Sequence, residues 1–311
     1  MNVIVTGGCG FIGSHVVDYL LKKKFSVHII DNLTRGKYIW RNHPNKPVLH
    51  KSDITDKYAI KKLFQKVNPS KVYHLAANHY IPYCEENPYE TFNINVYGTL
   101  NILEASLSSK NIEKFFFAST GDVYGPAHYP HRETDITSPI YIYGESKLIS
   151  ENIIKRYISS GKYNLDITIG RLFNAIGPRE TNPHFLPEVV RQISENKKII
   201  EVGNLWPMRD FVDVFSMSRI IVDLTDKNCG IDIFNIGSGK PQTVEDALSI
   251  ISKGNIEINS VEHRKRANDR PFLSPNTDKL KKILGDVCLP LNNKTSEMIW
   301  ALPKKERYYY K

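Results

Sequence analysis

A run of glycines close behind a short apolar segment sets the strongest limit on how this 311-residue chain can fold. Residues 3–5, Val-Ile-Val, are continuously apolar and β-branched, which suits a strand buried on both faces of a parallel sheet. Gly7-Gly-Cys-Gly10-Phe-Ile-Gly13 follows, and helical spacing takes over across residues 14–21. Phe25-Ser-Val-His-Ile-Ile-Asp31 then reads as a second strand ending on a carboxylate. Strand, glycine turn, helix, strand and acid in that order make a βαβ unit that binds a dinucleotide. One glycine forms the tight turn, one lets backbone approach a pyrophosphate, and one permits close packing of helix on strand.

The pyrophosphate would rest on the free N–H groups and positive dipole end of the helix that opens near Ile12. Gly7, Gly10, Phe11, Ile12 and Gly13 are therefore expected to contact the cofactor. Asp31 lies about twenty residues beyond the glycines, where a carboxylate accepts from the adenosine ribose 2′-OH and repels a 2′-phosphate. That favours NAD over NADP, with Asn32 at the same turn and Arg35 as a cation that would partly offset the preference. Asp53 and Ile54 follow the next strand, at the sheet edge where adenine would lie; Asp53 reads equally well as the cap of the following helix.

Further along, strands and helices alternate. Lys71-Val-Tyr-His-Leu-Ala-Ala77 is the next strand, and Leu75, Ala76 and Ala77 stand where backbone must pass close to the ligand. A long helix is expected over residues 89–108, carrying Asn95 toward the cofactor, then a strand over 114–119, a helix over 139–159 and a strand over 166–173. Alternation of this kind predicts an α/β fold, a doubly wound parallel sheet. Beyond Asn174 prolines punctuate loops around one clear helix near residues 186–195, and residues 230–236 read as a late strand returning to the sheet. The expected division is an NAD-binding Rossmann domain over 1–174, with that returning strand, and a discontinuous substrate lobe over 175–311.

The formal net charge is +9, but the lysines are dispersed, with no basic helix interleaved with aromatics, so neither nucleic acid nor a membrane is an expected partner. Such a surface would still draw in an anionic, phosphorylated substrate. Cys9, Cys84, Cys229 and Cys288 share no CxxC or Cys/His spacing, so reduced buried thiols are expected, and no metal site. The first strand begins at the N-terminus and no apolar run approaches the ~18 residues of a membrane helix. A soluble, cytoplasmic protein is expected.

Tyr143-Gly-Glu-Ser-Lys147 carries the chemistry. Residues four apart share a helix face, so a phenol and an ammonium can lie side by side. An unperturbed tyrosine ionises near pH ~10, and an adjacent cation lowers that value. Tyr143 could then take a proton from a sugar hydroxyl as hydride leaves the same carbon, or return it. Ala118-Ser119-Thr120 ends a strand at the same sheet edge, where Thr120 can hydrogen-bond the reacting oxygen.

With these residues the chain resembles the extended short-chain dehydrogenase/reductases, the family of nucleotide-sugar epimerases and dehydratases. The resemblance spans nearly the whole chain, through Thr6-Gly-Gly-x-Gly-Phe-Ile-Gly-Ser14, His74-Leu-Ala-Ala77, Asn95-Val-x-Gly-Thr-Leu-Asn101, Ser119-Thr-Gly-Asp-Val-Tyr-Gly125, Tyr143-x-x-x-Lys147, Arg171-Leu-Phe-Asn-Ala-Ile-Gly-Pro178 and Arg209-Asp-Phe-Val212. It implies Thr120, Tyr143 and Lys147 as the catalytic trio, with Tyr143 and Lys147 also at the cofactor. It further implies Asn174 and Arg209 as contacts to a substrate diphosphate, and Arg266 as a nucleotide contact within Arg266-Ala-Asn-Asp269, a looser match to the family's Arg-Pro-Gly-Asp. The substrate would be a UDP- or GDP-linked sugar, and homodimerisation is the family's habit.

Dehydratases of this family place an Asp-Glu or Ser-Glu pair straight after the threonine, whereas this chain has Gly121-Asp122. A 4-epimerase needs only the trio and a retained NAD, and that is the expected activity. A reductase of a GDP-4-keto-6-deoxy-hexose and a 4,6-dehydratase are the alternatives.

Overall fold

The computed structural model describes residues 1–159, 161, 163–228, 230–252, 256–265, 269–288, 290–303 and 307. Its centre is a seven-stranded, all-parallel sheet built from β1 (Asn2–Thr6), β2 (Ser26–Asp31), β3 (Val48–Lys51), β4 (Lys71–His74), β5 (Lys114–Thr120), β6 (Asp166–Leu172) and the strand Ile231–Ile236. From one edge the order is Ile231–Ile236, β6, β5, β4, β1, β2, β3. The chain first winds from β1 out to β3, then crosses back to β4 on the other side of β1. The crevice at the carboxyl ends of β1 and β4 is thus the switch point where open α/β sheets take their ligands.

Alternation along the strands builds both faces. Val3 and Val5 join the layer under α1 (Phe11–Lys22) and the helix Val214–Lys227, while Ile4 joins the layer under the helices Lys57–Val67 and Thr99–Leu107. All three are fully buried, as the unbroken apolar run requires. In β5, Phe116 faces the first layer and Phe115 and Phe117 the second. Each such side chain contributes about 1.5–3 kcal/mol by leaving water.

Two elements differ from expectation. The helix expected over 89–108 is three segments: Pro88–Phe92, a π-helical turn Asn93–Gly98, and Thr99–Leu107. The wide turn coincides with two tertiary demands. Asn95 turns inward to bond the Asn78 backbone, and Gly98 lies so close to Ile54 that an added Cβ would stand 2.5 Å from its Cδ1. β4 ends at His74 rather than Ala77, because the chain leaves the sheet at Leu75 to skirt the crevice.

The rest of the C-terminal part packs around Ile176, Leu186, Val189, Val190, Ile200 and Phe211. It contains the helix Phe185–Ser194 and small sheets, one of which pairs Asn174–Ile176 with Phe211–Asp213 in parallel. Cys9, Cys84 and Cys288 are buried free thiols; Cys229 lies outside the described residues. Among the described residues no helix is long and apolar enough to cross a membrane.

Candidate active site

The glycine turn is built by exclusion of side chains. Gly7 has a φ of 66°, and an added Cβ would stand 2.8 Å from the Ala76 backbone, so the turn after β1 presses directly on the segment after β4. At Gly13 a Cβ would come within 2.1 Å of the Gly7 carbonyl oxygen. Only glycine lets α1 start this close to its strand. Gly10 precedes the first turn of α1 with no side-chain cap, and that turn holds no acid. The first N–H groups of a helix have no partner within it, so this end suits a pyrophosphate.

Asp31 closes the other side of the pocket. Its Oδ2 accepts from Cys9 N at 3.0 Å and its Oδ1 from Leu33 N at 2.8 Å, which fixes the carboxylate while leaving each oxygen a further lone pair for a ribose hydroxyl. Burial raises its pKa, against those two hydrogen bonds. The Arg35 guanidinium lies 5.4 Å from the ring centre of Tyr83. Asn32 donates to Asp53 Oδ2 at 2.8 Å, and Asp53 Oδ1 accepts from the Thr55 backbone and hydroxyl. Asp53 does not cap the next helix: Asp56 does, accepting from Ala59 N at 3.0 Å. Ile54 is buried beside them, and Leu75, Ala76 and Ala77 line the crevice half-buried.

Asn95 lies behind this segment. It is fully buried, its Oδ1 accepts from Asn78 N, and its Nδ2 donates to Asn78 O and Ser146 Oγ, all at 2.8–2.9 Å. The side chain braces the segment after β4 against the helix Ile142–Ile158.

Thr120, Tyr143 and Lys147 converge at the carboxyl end of β5. Tyr143 and Lys147 lie on the first turns of the helix Ile142–Ile158, where Gly144 packs on the Asp122 backbone so tightly that a Cβ would stand 2.3 Å from its oxygen. The Thr120 hydroxyl acts on the Tyr143 phenol as a hydrogen-bonding neighbour. Burial and then the Asp122 charge raise the phenol's pKa, and the Thr120 hydrogen bond opposes them. The expected lowering by Lys147 is not among the causes. Lys147 is 2 % exposed, its ammonium is 4.2 Å from the ring centre of Phe117, and burial brings its pKa down to about 7 against the pull of Glu151.

Sequence reasoning missed what supports this trio. Glu151, one turn beyond Lys147, is fully buried and accepts from Arg171 Nε at 3.0 Å, from Arg171 Nη2 at 2.8 Å and from Ser119 Oγ at 2.5 Å. Its spacing from Tyr143 and Lys147 on one helix face was the available signal. Arg270 had none. It is 3 % exposed, and its Nη1 forms an ion pair with Asp122 Oδ1 at 3.4 Å. The position after Thr120 carries no side chain and is tight, since a Cβ at Gly121 would stand 3.0 Å from the Phe173 ring, which would have to give by a few tenths of an ångström.

Of the expected substrate contacts, Asn174 is exposed at the start of its short strand. Arg209 bonds the Met208 and Arg270 carbonyls and pairs with Asp269 at 2.7 Å, which holds its guanidinium in a fixed plane. Arg266 lies outside the described residues.

A second cluster, also missed, gathers His79, Glu180 and His184 with their ligating atoms within 4.8 Å of one another. Burial raises the Glu180 pKa to about 8 and lowers that of His79 to about 4. The residues come from segments too far apart in sequence for spacing to suggest a site.

Comparison with known proteins identifies the family. A family model described as the NAD dependent epimerase/dehydratase family matches residues 3–237. UDP-glucose 4-epimerase of Rhizobium meliloti is 30% identical over 309 residues, 91% of this chain and 91% of that protein. GDP-6-deoxy-D-mannose reductase of Pseudomonas aeruginosa is 28% identical over 260 residues, covering 81% of this chain and 79% of its own length. The crystal structure of Thermus thermophilus UDP-glucose 4-epimerase in complex with NAD superposes with a TM-score of 0.84 at 27% identity, covering 97% of this chain and 100% of that one.

Proposed function

We propose that this chain, which belongs to the NAD dependent epimerase/dehydratase family, is an epimerase acting at C4 of a nucleoside-diphosphate sugar. The observation that carries the reading is the juxtaposition of Thr120, Tyr143 and Lys147 with an Asp122 carboxylate already engaged by Arg270 and Thr120. The trio can move a proton on and off one hydroxyl. Eliminating water across two carbons needs a second acid–base pair, and Gly121 offers no group for it.

When bound, NAD supplies the acceptor that takes hydride from C4 and gives it back, and its cationic ring favours the ionised phenol. Tyr143 removes the C4 hydroxyl proton, Thr120 holds the same oxygen, and Lys147 orients the cofactor ribose. For inversion the keto-sugar must turn over in the cleft and accept hydride on its other face, with Tyr143 returning the proton. In this reading Arg209, held in plane by Asp269, and the exposed Asn174 would keep hold of the diphosphate during that turn.

The test is to incubate purified protein with UDP- and GDP-linked hexoses and stoichiometric NAD, following the products by NMR. Inversion at C4 is expected. A 4-keto-6-deoxy product would overturn the reading in favour of a dehydratase, and reduction of a 4-keto sugar at the expense of added NADPH, without inversion, in favour of a reductase.

A further inference from the structure

We propose that His79, Glu180 and His184 form a binding site for a divalent transition-metal ion of the zinc type, at the seam between the sheet and the C-terminal lobe. The ligating atoms already lie within 4.8 Å of one another. His79 belongs to the segment after β4, while Glu180 and His184 lie between the short strand Asn174–Ile176 and the helix Phe185–Ser194, so the ion would tie the two parts of the fold together.

Glu180 is the reason to expect a cation. It is 4 % exposed, its Oε1 accepts from Thr181 N at 2.8 Å and Asn182 N at 3.2 Å, and among the described residues no lysine or arginine forms an ion pair with it. A carboxylate that deep needs an opposite charge or a proton. Its neighbours are two imidazoles with ring centres 5.5 Å apart.

The segment is held in place before any ion arrives. Arg179 pairs with Asp18 on α1 at 2.8 Å, His15 meets the Pro178 carbonyl at 3.1 Å, and His184 N donates to Asn182 O at 2.8 Å. Asn182 Nδ2 is 3.0 Å from His79 Nε2. Half a turn of that amide would bring its carbonyl oxygen to the same place as a fourth donor.

Two imidazoles and one carboxylate are the ligand set of zinc and its first-row neighbours; magnesium and calcium favour all-oxygen shells. The existence of the site does not depend on which sugar reaction the trio performs.

The experiment uses the full chain, stripped with a chelator and exchanged into metal-free buffer, titrated with Zn²⁺ by calorimetry and with Co²⁺ by visible absorption. One equivalent should bind, with the intense d–d bands of a low-coordinate Co²⁺ site. Glu180→Gln and His184→Ala should each weaken binding at least ~10-fold. The His28→Ala/His50→Ala double variant removes the other close histidine pair, 3.0 Å apart, and should leave binding unchanged. Thermal melts of each protein establish that it is folded; should Glu180→Gln fail to fold, the half-buried His184→Gln gives the same reading. Absence of stoichiometric uptake, or uptake that survives loss of His184, overturns the proposal.

Discussion

Asp122 is held from two sides: Arg270 Nη1 stands 3.4 Å from its Oδ1, and the Thr120 hydroxyl donates to its Oδ2 at 3.3 Å. The carboxylate therefore acts on the phenol it shares Thr120 with, and its charge is one of the causes that raise the Tyr143 pKa. Tyr143 works as a base only when ionised, so kcat/KM should rise with pH through its apparent pKa. Asp122→Asn removes a negative charge and should move that rising limb to lower pH. Arg270→Met leaves Asp122 uncompensated and should move it to higher pH. Profiles of kcat/KM for the three proteins check the pair of signs; limbs that coincide would show that Asp122 does not tune the base.

The phenol itself should be worth more than its surroundings. Tyr143→Phe keeps the ring and its packing but removes the proton carrier, and kcat should fall by roughly 10²–10⁴. Binding of NAD, followed by fluorescence quenching, should be little changed. Thr120→Val, which keeps the side-chain volume, should reduce kcat in the same direction and raise the apparent pKa of the rising limb, because the Thr120 hydroxyl lowers the phenol's pKa when it turns its one proton from Asp122 to the phenolate.

Asp31 should decide the nicotinamide cofactor. Its oxygens are already anchored by Cys9 N and Leu33 N, so the carboxylate is fixed before the ribose arrives. Removing a charged acceptor costs about 1.5–3 kcal/mol. Asp31→Ala should therefore weaken NAD by roughly 10- to 100-fold and narrow the gap to NADP, measured by parallel titrations. NAD affinity that does not move would place the ribose elsewhere.

The parts of this site that sequence made legible are those set by short-range rules. The glycines, Asp31 and the pair Tyr143 and Lys147 are fixed by spacing within one turn or one βαβ unit, and Thr120 by the end of a strand. What stayed hidden is long-range. Arg270 reaches the Asp122 backbone across 148 residues of chain and Asn182 reaches His79 across 103, and no periodicity connects such positions. The amide of Asn95 bonds Asn78 and Ser146, and only tertiary packing reveals those partners. The π-helical turn at Asn93–Gly98 is hidden for the same reason, since the sequence there has ordinary helical spacing.

Glu151 should matter first for folding. With Arg171 2 % exposed and bidentate to it, Glu151→Ala leaves a buried guanidinium without its counter-ion. Removing one partner of such a pair costs about 3–5 kcal/mol, which urea denaturation would register as a lower midpoint. The carboxylate's pKa is lowered in the folded state: although burial raises it, the Arg171 and Ser119 contacts outweigh that effect. Its stabilisation is therefore present above the unfolded-state pKa and is lost as pH falls through the folded-state value. The stability gap between wild type and Glu151→Ala should narrow in acid, below about pH 4.5.

Lys147 should behave in the opposite way, as a residue the fold carries at a loss. Burial lowers its pKa from 10.5 to about 7, so between those values the unfolded chain holds a proton that the native state tends to shed. Stability therefore rises with pH across that window, and below about pH 7 the penalty for keeping a charged ammonium beneath the sheet edge is fully present. Lys147→Met keeps the length and apolar stem while removing the charge. At neutral pH the cofactor-free variant should be more stable than wild type by on the order of 3 kcal/mol, while turnover is lost. The gain should shrink as pH is raised toward about 9.5, where the wild-type lysine is neutral in the native state. Urea midpoints for both proteins at the two pH values decide it: a gap that is absent at neutral pH, or equal at both, would mean that Lys147 is solvated well enough in the native protein to keep an ordinary pKa.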